Sequence, residues 1–75
     1  MTDRIKNLRI DSDYTQAQVA RAIGITQRKY SYIETGVQQL ADDVIVSLAK
    51  FYGTSADYLL GLTDDPTPFW KQKQG

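Results

Sequence analysis

The stretch TQRKYSYIETG, residues 26–36, carries side chains that can hydrogen-bond to the edges of nucleic-acid bases. Thr26 is a good helix N-cap and Gly36 is a good helix stop, so the segment predicts a short helix. At about 100° per residue, an inward-facing Tyr30 and Ile33 leave an opposite side formed by Arg28, Ser31, Tyr32 and Thr35, with Gln27 projecting at the N-terminal end. In the DNA major groove, arginine can bind guanine and glutamine can bind adenine through paired hydrogen bonds.

The residue types on which most enzymes and metal sites depend are missing from this chain of 75 residues. It has no histidine and no cysteine, which removes the usual general base, the thiolate nucleophile and the commonest metal ligands. The sequence also lacks a phosphate-binding glycine loop and a paired set of carboxylates, and a domain this small encloses little of a pocket. We therefore expect no catalysis, no metal site, no cofactor and no small-molecule substrate.

Charge is distributed unevenly along the chain, although nine basic and nine acidic side chains balance overall. Residues 1–36 contain six basic and four acidic side chains, whereas residues 37–67 contain one and five. A zero net charge differs from the strongly basic balance of most nucleic-acid binders. No apolar run approaches the roughly 18–20 residues of a membrane span, and no signal peptide precedes the first charges, so we expect a cytoplasmic protein.

The caps and the spacing of apolar residues predict five helices and no strand. The first helix begins at Thr2 or Asp3 and ends at about Asp11, the second runs from Thr15 to Gly24, and the third from Thr26 to about Glu34. The fourth begins at Asp42-Asp43 and ends at Gly53, and the fifth runs from Ser55 to Gly61. Pro66 and Pro68 break any continuation. We assign residues 1–63 to one domain and residues 64–75 to a C-terminal tail.

The second and third predicted helices are separated only by a turn of about three residues that contains Gly24. This is the spacing of a helix-turn-helix. Such a short turn makes the helices cross steeply, Ala20 allows them to approach closely, and Ile25 fills the corner. The third helix is then held out from the body of the domain, where it can enter the major groove.

The stretch from Arg4 to Asp64 resembles the small DNA-binding domains of phage repressors and Cro proteins, the Xre-like helix-turn-helix group. The resemblance is carried by RIKNLR at 4–9, YTQAQVARAIGITQ at 14–27, YSYIETG at 30–36 and LAKFYGTSADYLLGLTD at 48–64, about four-fifths of the chain. It implies an all-α, compact, five-helix lambda-repressor-like domain. In this group the third helix reads bases and the second lies across the DNA backbone.

The resemblance and the helical geometry together give a set of candidate DNA-binding residues. By position, Gln27, Arg28 and Tyr32 correspond to base readers, and Gln16 corresponds to a phosphate contact at a helix N-terminus. For Lys29, contact with a phosphate and plain solvation stay equally open. The full set is Gln16, Thr26, Gln27, Arg28, Lys29, Ser31, Tyr32, Gln38 and Gln39.

The loop after the third helix departs from the pattern of this group. Relatives often carry lysine or arginine there, but this chain has VQQL at 37–40. Gln38 and Gln39 can hydrogen-bond to a phosphate but release no counterions, so we expect modest affinity with a weaker salt dependence than usual.

Arg9 and Glu34 form a candidate structural ion pair. Arg9 lies one helical turn beyond Ile5, and Glu34 lies one turn beyond Tyr30, so both charges are on the inward sides of their helices. The resemblance points the same way, because relatives pair arginine with glutamate at these positions. We expect a buried pair that joins the first helix to the third, with two separate surface charges as the alternative.

The expected function is that of a sequence-specific DNA-binding transcriptional regulator, a bacterial or phage repressor that works in the cytoplasm on the nucleoid. Relatives pair two domains on palindromic operators, so double-stranded DNA and a second copy of the chain are the expected partners. Candidate dimer contacts are Val46, Leu62, Phe69 and Trp70; the alternative for the last two is that they fold onto their own domain or are disordered. The alternative function is a helical protein–protein interaction module, such as an antitoxin or a regulator subunit, with weak DNA binding.

Overall fold

A computed structural model describes residues 3–68 and residue 71 of the chain. Within them are five helices, and none of these residues lies in a strand. The helices are α1 Asp3–Asp11, α2 Gln16–Ile23, α3 Gln27–Thr35, α4 Asp42–Tyr52 and α5 Ala56–Leu59. The predicted all-α fold of five helices is confirmed. Asp3 is the first residue of α1 rather than its cap, and Thr2 lies outside the described residues.

Side-chain caps start three of the helices where the sequence predicts them. The Oγ of Thr15, of Thr26 and of Ser55 each accepts a backbone N–H from the first turn of α2, α3 and α5. Helix α4 differs, because it begins after Ala41 with no side-chain cap. Instead, the carboxylates of Asp42 and Asp43 in its first turn stabilise the start of α4, because they lie at the positive end of the helix dipole.

The turn between α2 and α3 depends on a left-handed residue. Gly24 has φ 78°, and its backbone N–H donates to carbonyl groups of the last turn of α2. Since glycine has no Cβ, it adopts this conformation at little cost. The next residue, Ile25, donates its N–H to the Ala20 carbonyl at 3.0 Å and packs against the core. The helix-turn-helix geometry expected from the spacing is therefore present.

The core lies between the helices, and nine apolar residues of the described part of the chain are buried in it. They are Ile5, Val19, Ala20, Tyr30, Ile33, Val44, Leu48, Ala49 and Leu59. Helix α2 packs against α3 and α4, α1 packs against α3 and α5, and α4 packs against α5. Each fully buried Ile, Leu or Val side chain contributes about 1.5–3 kcal/mol through the hydrophobic effect. This packing is what presents the outer side of α3 to solvent.

Residues 62–68 return to the helical body. The Arg4 guanidinium donates to the Thr63 carbonyl at 3.2 Å and to the Asp64 carboxylate at 3.1 Å. It also lies 4.4 Å from the centroid of the Tyr58 ring. Farther along, Thr54 Oγ1 donates to the Pro66 carbonyl at 2.6 Å. Part of the segment assigned to the tail thus contacts the domain, while Phe69 and Trp70 lie outside the described residues.

Candidate nucleic-acid interface

Helix α3 presents a polar side to solvent. Tyr30 and Ile33 are buried, as the sequence predicts, while Gln27 and Arg28 are exposed and Tyr32 is 42% exposed. Ser31 and Lys29 are half-buried, so they project less than the other candidate residues. Arg28 forms no ion pair within the described part of the chain. Its guanidinium is therefore available to a ligand.

The loop after α3 is held close to the end of that helix. Gly36 has φ 81° and donates its N–H to the Ile33 carbonyl at 3.2 Å, and the Gln38 N–H donates to the Tyr32 carbonyl at 3.1 Å. Gln38 and Gln39 are both exposed. The loop thus places two neutral hydrogen-bonding side chains beside the outer side of α3.

The first turn of α3 is capped by Thr26. Its Oγ1 accepts the Lys29 N–H at 3.1 Å, and the hydroxyl proton stays available to donate to an acceptor such as a phosphate oxygen. Gln27 is the first residue of the helix, where the leading N–H groups lack a helical acceptor. The N-terminus of α3 therefore carries several donors and no acidic side chain.

Arg9 and Glu34 form the ion pair that the sequence predicts. Arg9 Nε lies 2.7 Å from Glu34 Oε2, and Arg9 Nη2 donates to Glu34 Oε1 at 3.1 Å. The Glu34 side chain is only 2% exposed and the Arg9 side chain 13% exposed. A third donor of the guanidinium, Nη1, reaches the Tyr14 carbonyl at 3.0 Å. This paired geometry compensates for much of the cost of taking both charges out of water.

Gln16 also hydrogen-bonds to this pair, a contact that the sequence does not predict. Its side chain is half-buried, and Nε2 donates to Glu34 Oε1 at 3.1 Å. The two residues are 18 positions apart, so no local pattern connects them. The contact depends on how α2 packs against α3, which the residues around Gln16 do not indicate. Glu34 thus receives hydrogen bonds from both α1 and α2.

The ionisable groups around Glu34 respond to its charge. Burial by itself would raise the pKa of Glu34, but the hydrogen bonds, above all those from Arg9, hold it below its ordinary value. The same pairing raises the pKa of Arg9. The buried Tyr30 hydroxyl lies near the carboxylate but outside good hydrogen-bonding geometry. Burial and this negative neighbour raise the pKa of Tyr30, and burial raises that of Tyr52 to about 12. Glu34 is therefore ionised and both tyrosines are neutral at neutral pH.

A match to known proteins covers this whole arrangement. The model of a family described as helix-turn-helix matches residues 5–59, from the first turn of α1 to the end of α5. The chain belongs to the helix-turn-helix family. Every candidate DNA-binding residue, together with the Arg9–Glu34 pair, lies inside the matched span of this helix-turn-helix protein.

Two curated relatives are regulators by name. The chain is 40% identical over 70 residues to an uncharacterized HTH-type transcriptional regulator, YobD, of Bacillus subtilis, covering 93% of this chain and 62% of the relative. It is 36% identical over 52 residues to the cryptic phage CTXphi transcriptional repressor RstR of Vibrio cholerae, covering 69% of this chain and 47% of the relative. The helix-turn-helix chain thus spans less than two thirds of the length of either relative. No solved structure matches it significantly.

Neither a metal-ligand group nor a membrane-spanning helix is found in the described part of this helix-turn-helix protein. Residues 3–68 and 71 contain no group of three or more His, Cys, Asp or Glu side chains that could hold a metal ion. None of the helices there is both long enough and apolar enough to cross a membrane.

Proposed function

We propose that this helix-turn-helix protein is a sequence-specific DNA-binding transcriptional regulator that acts as a repressor. The observation that carries the proposal is the exposed side of α3, where Gln27, Arg28 and Tyr32 face solvent on a helix whose opposite side is buried. A helix is narrow enough to lie in the major groove, where base edges distinguish all four base pairs. The names of both relatives support the regulatory role.

The candidate residues divide into two kinds of contact. Gln27, Arg28 and Tyr32 contact base edges, the arginine through paired hydrogen bonds to guanine and the tyrosine through a thymine methyl or a backbone phosphate. The remaining candidates contact the sugar–phosphate backbone and fix the register of the helix without reading sequence. These are Gln16, Thr26, Lys29, Ser31, Gln38 and Gln39. Residues 1–63 supply every contact, and such a regulator would act in the cytoplasm, on the nucleoid.

Binding should be modest in strength because few cations face the DNA. Each phosphate that is neutralised by a lysine or arginine releases counterions and steepens the salt dependence. Here the loop after α3 offers two glutamines, and the exposed Asp42 and Asp43 follow it. The salt dependence should therefore be shallower than that of a regulator with a basic loop.

Selection of bound duplexes from a random pool tests the proposed function. The protein should enrich one sequence motif, and the Arg28→Ala variant, which keeps the fold, should lose enrichment of a guanine within it. Failure of the wild-type protein to enrich any motif, together with elution from a DNA column at low salt, would instead support the alternative, a module that binds another protein.

We also propose that two copies bind a palindromic operator. One α3 helix contacts too few base pairs to be selective, so two domains about one helical turn of DNA apart are needed. Apolar residues that could form the contact are Leu62, which is 74% exposed, and Val46 on the outer side of α4. Since a small apolar surface falls below the roughly 1,000 Å² of a stable interface, the dimer should form mainly on DNA.

Sedimentation of the free protein and of its complexes tests the dimer. The free protein should sediment as a monomer at low concentration, and a duplex with two half-sites should bind two copies. Val46→Glu should weaken binding to the two-half-site duplex and leave binding to a single half-site unchanged. A complex of one protein with one duplex, even at high protein concentration, would rule the dimer out.

A further inference from the structure

The carboxamide of Gln16 is held in one orientation by a carboxylate. Its Nε2 donates to Glu34 Oε1 at 3.1 Å. Because an ionised carboxylate only accepts hydrogen bonds, the nitrogen end of the amide has to face Glu34. The glutamate is in turn fixed by two donors of Arg9, at 2.7 and 3.1 Å. The orientation of an otherwise flexible side chain at the start of α2 is thus set by a buried ion pair.

This orientation decides what Gln16 can offer to a ligand. An amide nitrogen carries two N–H groups. One of them is donated to Glu34, and the second stays on a nitrogen whose position is already fixed. A phosphate oxygen is an acceptor only, so it needs the nitrogen end of the amide rather than the oxygen end. Without Glu34, both ends of a freely rotating Gln16 amide would be presented, and part of the binding energy would be spent on ordering it.

We propose that Glu34 is a positioning residue for DNA binding, because it orients the Gln16 carboxamide so that one N–H bonds the protein and the other bonds a backbone phosphate. The inference rests on the proposed function, since it assumes that α3 enters the major groove. Glu34 itself does not touch DNA. As it lies on α3, it fixes the phosphate contact of α2 at a set distance from the base-reading residues of the same helix.

The double-mutant cycle of Gln16→Ala and Glu34→Gln tests the coupling. The carboxylate of Glu34 accepts three hydrogen bonds, from Arg9 Nε, Arg9 Nη2 and Gln16 Nε2. Glutamine at position 34 has no charge and only one acceptor oxygen, with two lone pairs, so it cannot accept all three. With wild-type Gln16 present, Glu34→Gln should weaken binding about tenfold, and equally for cognate and scrambled duplexes, because a phosphate contact is lost. In the Gln16→Ala background, the same change at position 34 should have almost no effect on affinity.

Asp64→Asn is the matched control. Asp64 is also the acid of an arginine ion pair, 3.1 Å from Arg4 Nη2, but its side chain is fully exposed, whereas Gln16 donates to Glu34. This variant should leave DNA affinity unchanged in both backgrounds. Equal losses from Glu34→Gln with and without Gln16 would show that Glu34 acts only through stability and would overturn the inference. If the wild-type protein enriches no duplex from a random pool, the proposed function is wrong, and the inference about Glu34 loses its basis for that separate reason.

Nuclear magnetic resonance of the wild-type protein covers the case in which Glu34→Gln does not fold. In the free protein, the side-chain amide protons of Gln16 should exchange slowly with solvent, and addition of DNA should shift the second of them. The exposed Gln27 amide provides an internal comparison for fast exchange. Equal exchange rates for the two amides in the free protein would overturn the inference regardless of how any variant behaves.

Discussion

Two helices of this protein begin with the same dipeptide, Thr-Gln, at 15–16 and at 26–27, yet the two starts are built differently. At α2, Thr15 Oγ1 accepts the Gln18 N–H at 3.1 Å and Gln18 Oε1 accepts the Thr15 N–H at 2.8 Å, a reciprocal capping box. At α3, Thr26 accepts the Lys29 N–H, and a lysine cannot accept a bond in return.

Gln16 at the start of α2 and Gln27 at the start of α3 also differ in their surroundings. Gln16 is half-buried and donates to Glu34, whereas Gln27 is exposed. The first turn of α2 is therefore fixed to the protein, and that of α3 presents its side chain to solvent. Identical dipeptides at identical helix positions differ in role because their surroundings differ, above all in whether Glu34 is within reach.

Removal of Glu34 should have the largest effect on stability. Glu34→Ala leaves the guanidinium of Arg9, whose side chain is 13% exposed, without its partner, which should lower the free energy of unfolding by about 3–5 kcal/mol. For a domain of this size, each 1 kcal/mol lowers the Tm by roughly 4–8 °C. Asp64→Ala, which breaks the exposed Arg4–Asp64 pair, should leave the Tm nearly unchanged. An unchanged Tm in Glu34→Ala would show that the hydrogen bonds of Glu34 to Arg9 and Gln16 do not stabilise the packing of α1 and α2 against α3.

Acid should destabilise the protein by protonating Glu34, which then no longer pairs with Arg9. The folded-state pKa of Glu34 lies below its ordinary value of 4.5, so the protein gains stability from the ionised form. That contribution is fully present above the ordinary pKa and is lost as pH falls through the lower folded-state pKa. Thermal unfolding followed from pH 7 to pH 2 should show a decline below about pH 4.5 that is reduced in Glu34→Gln. A parallel decline in both proteins would assign the acid sensitivity to other carboxylates.

The two starts should also differ in how they affect DNA binding. Arg28→Ala, one residue after the exposed Gln27, should cost about 1–3 kcal/mol at one base pair of the site. Gln16→Ala should weaken cognate and scrambled duplexes by the same factor, because it removes a backbone contact. Fluorescence titration with both duplexes separates the two patterns. Equal loss on both duplexes in Arg28→Ala would remove its base-reading role.

The caps themselves should give the smallest effects. Thr15→Ala and Thr26→Ala should each cost about 0.5–2 kcal/mol, the usual range for an N-cap threonine. The third residue of each helix, Gln18 in α2 and Lys29 in α3, should distinguish the two helix starts more clearly. Gln18→Ala should destabilise the protein because it removes half of a capping box, while Lys29→Ala should not. Equal changes in denaturation midpoint for these two variants would contradict the difference between the helix starts.

The local parts of the fold could be predicted from the sequence. Thr15, Gly24 and Gly36 carry their own conformational preferences, and the apolar spacing identifies the buried sides, so helix bounds and the inward Tyr30 follow from neighbouring residues alone. The Arg9–Glu34 contact was also accessible, because each charge lies on the inward side of a helix and the family resemblance pairs them.

Contacts between distant residues that carry no pattern could not be predicted. Gln16 and Glu34 are 18 positions apart, and Arg4 and Asp64 are 60 apart. A glutamine at a helix start bonds equally well to water, to a phosphate or to a carboxylate, and only the packing of α2 against α3 selects among them. The contacts of Thr63 and Asp64 with Arg4, and of Pro66 with Thr54, likewise depend on where the chain leaves α5.

Replacement of one atom of the DNA tests directly whether α3 reads base edges in the major groove. In the motif enriched by the wild-type protein, the guanine whose enrichment Arg28→Ala loses is replaced by 7-deazaguanine, which lacks the N7 acceptor that faces the major groove. The wild-type protein should then bind roughly tenfold more weakly, a loss of about 1.4 kcal/mol, while Arg28→Ala should bind both duplexes equally. Wild-type affinity that does not change, or an equal loss in both proteins, would show that Arg28 does not bind this base edge.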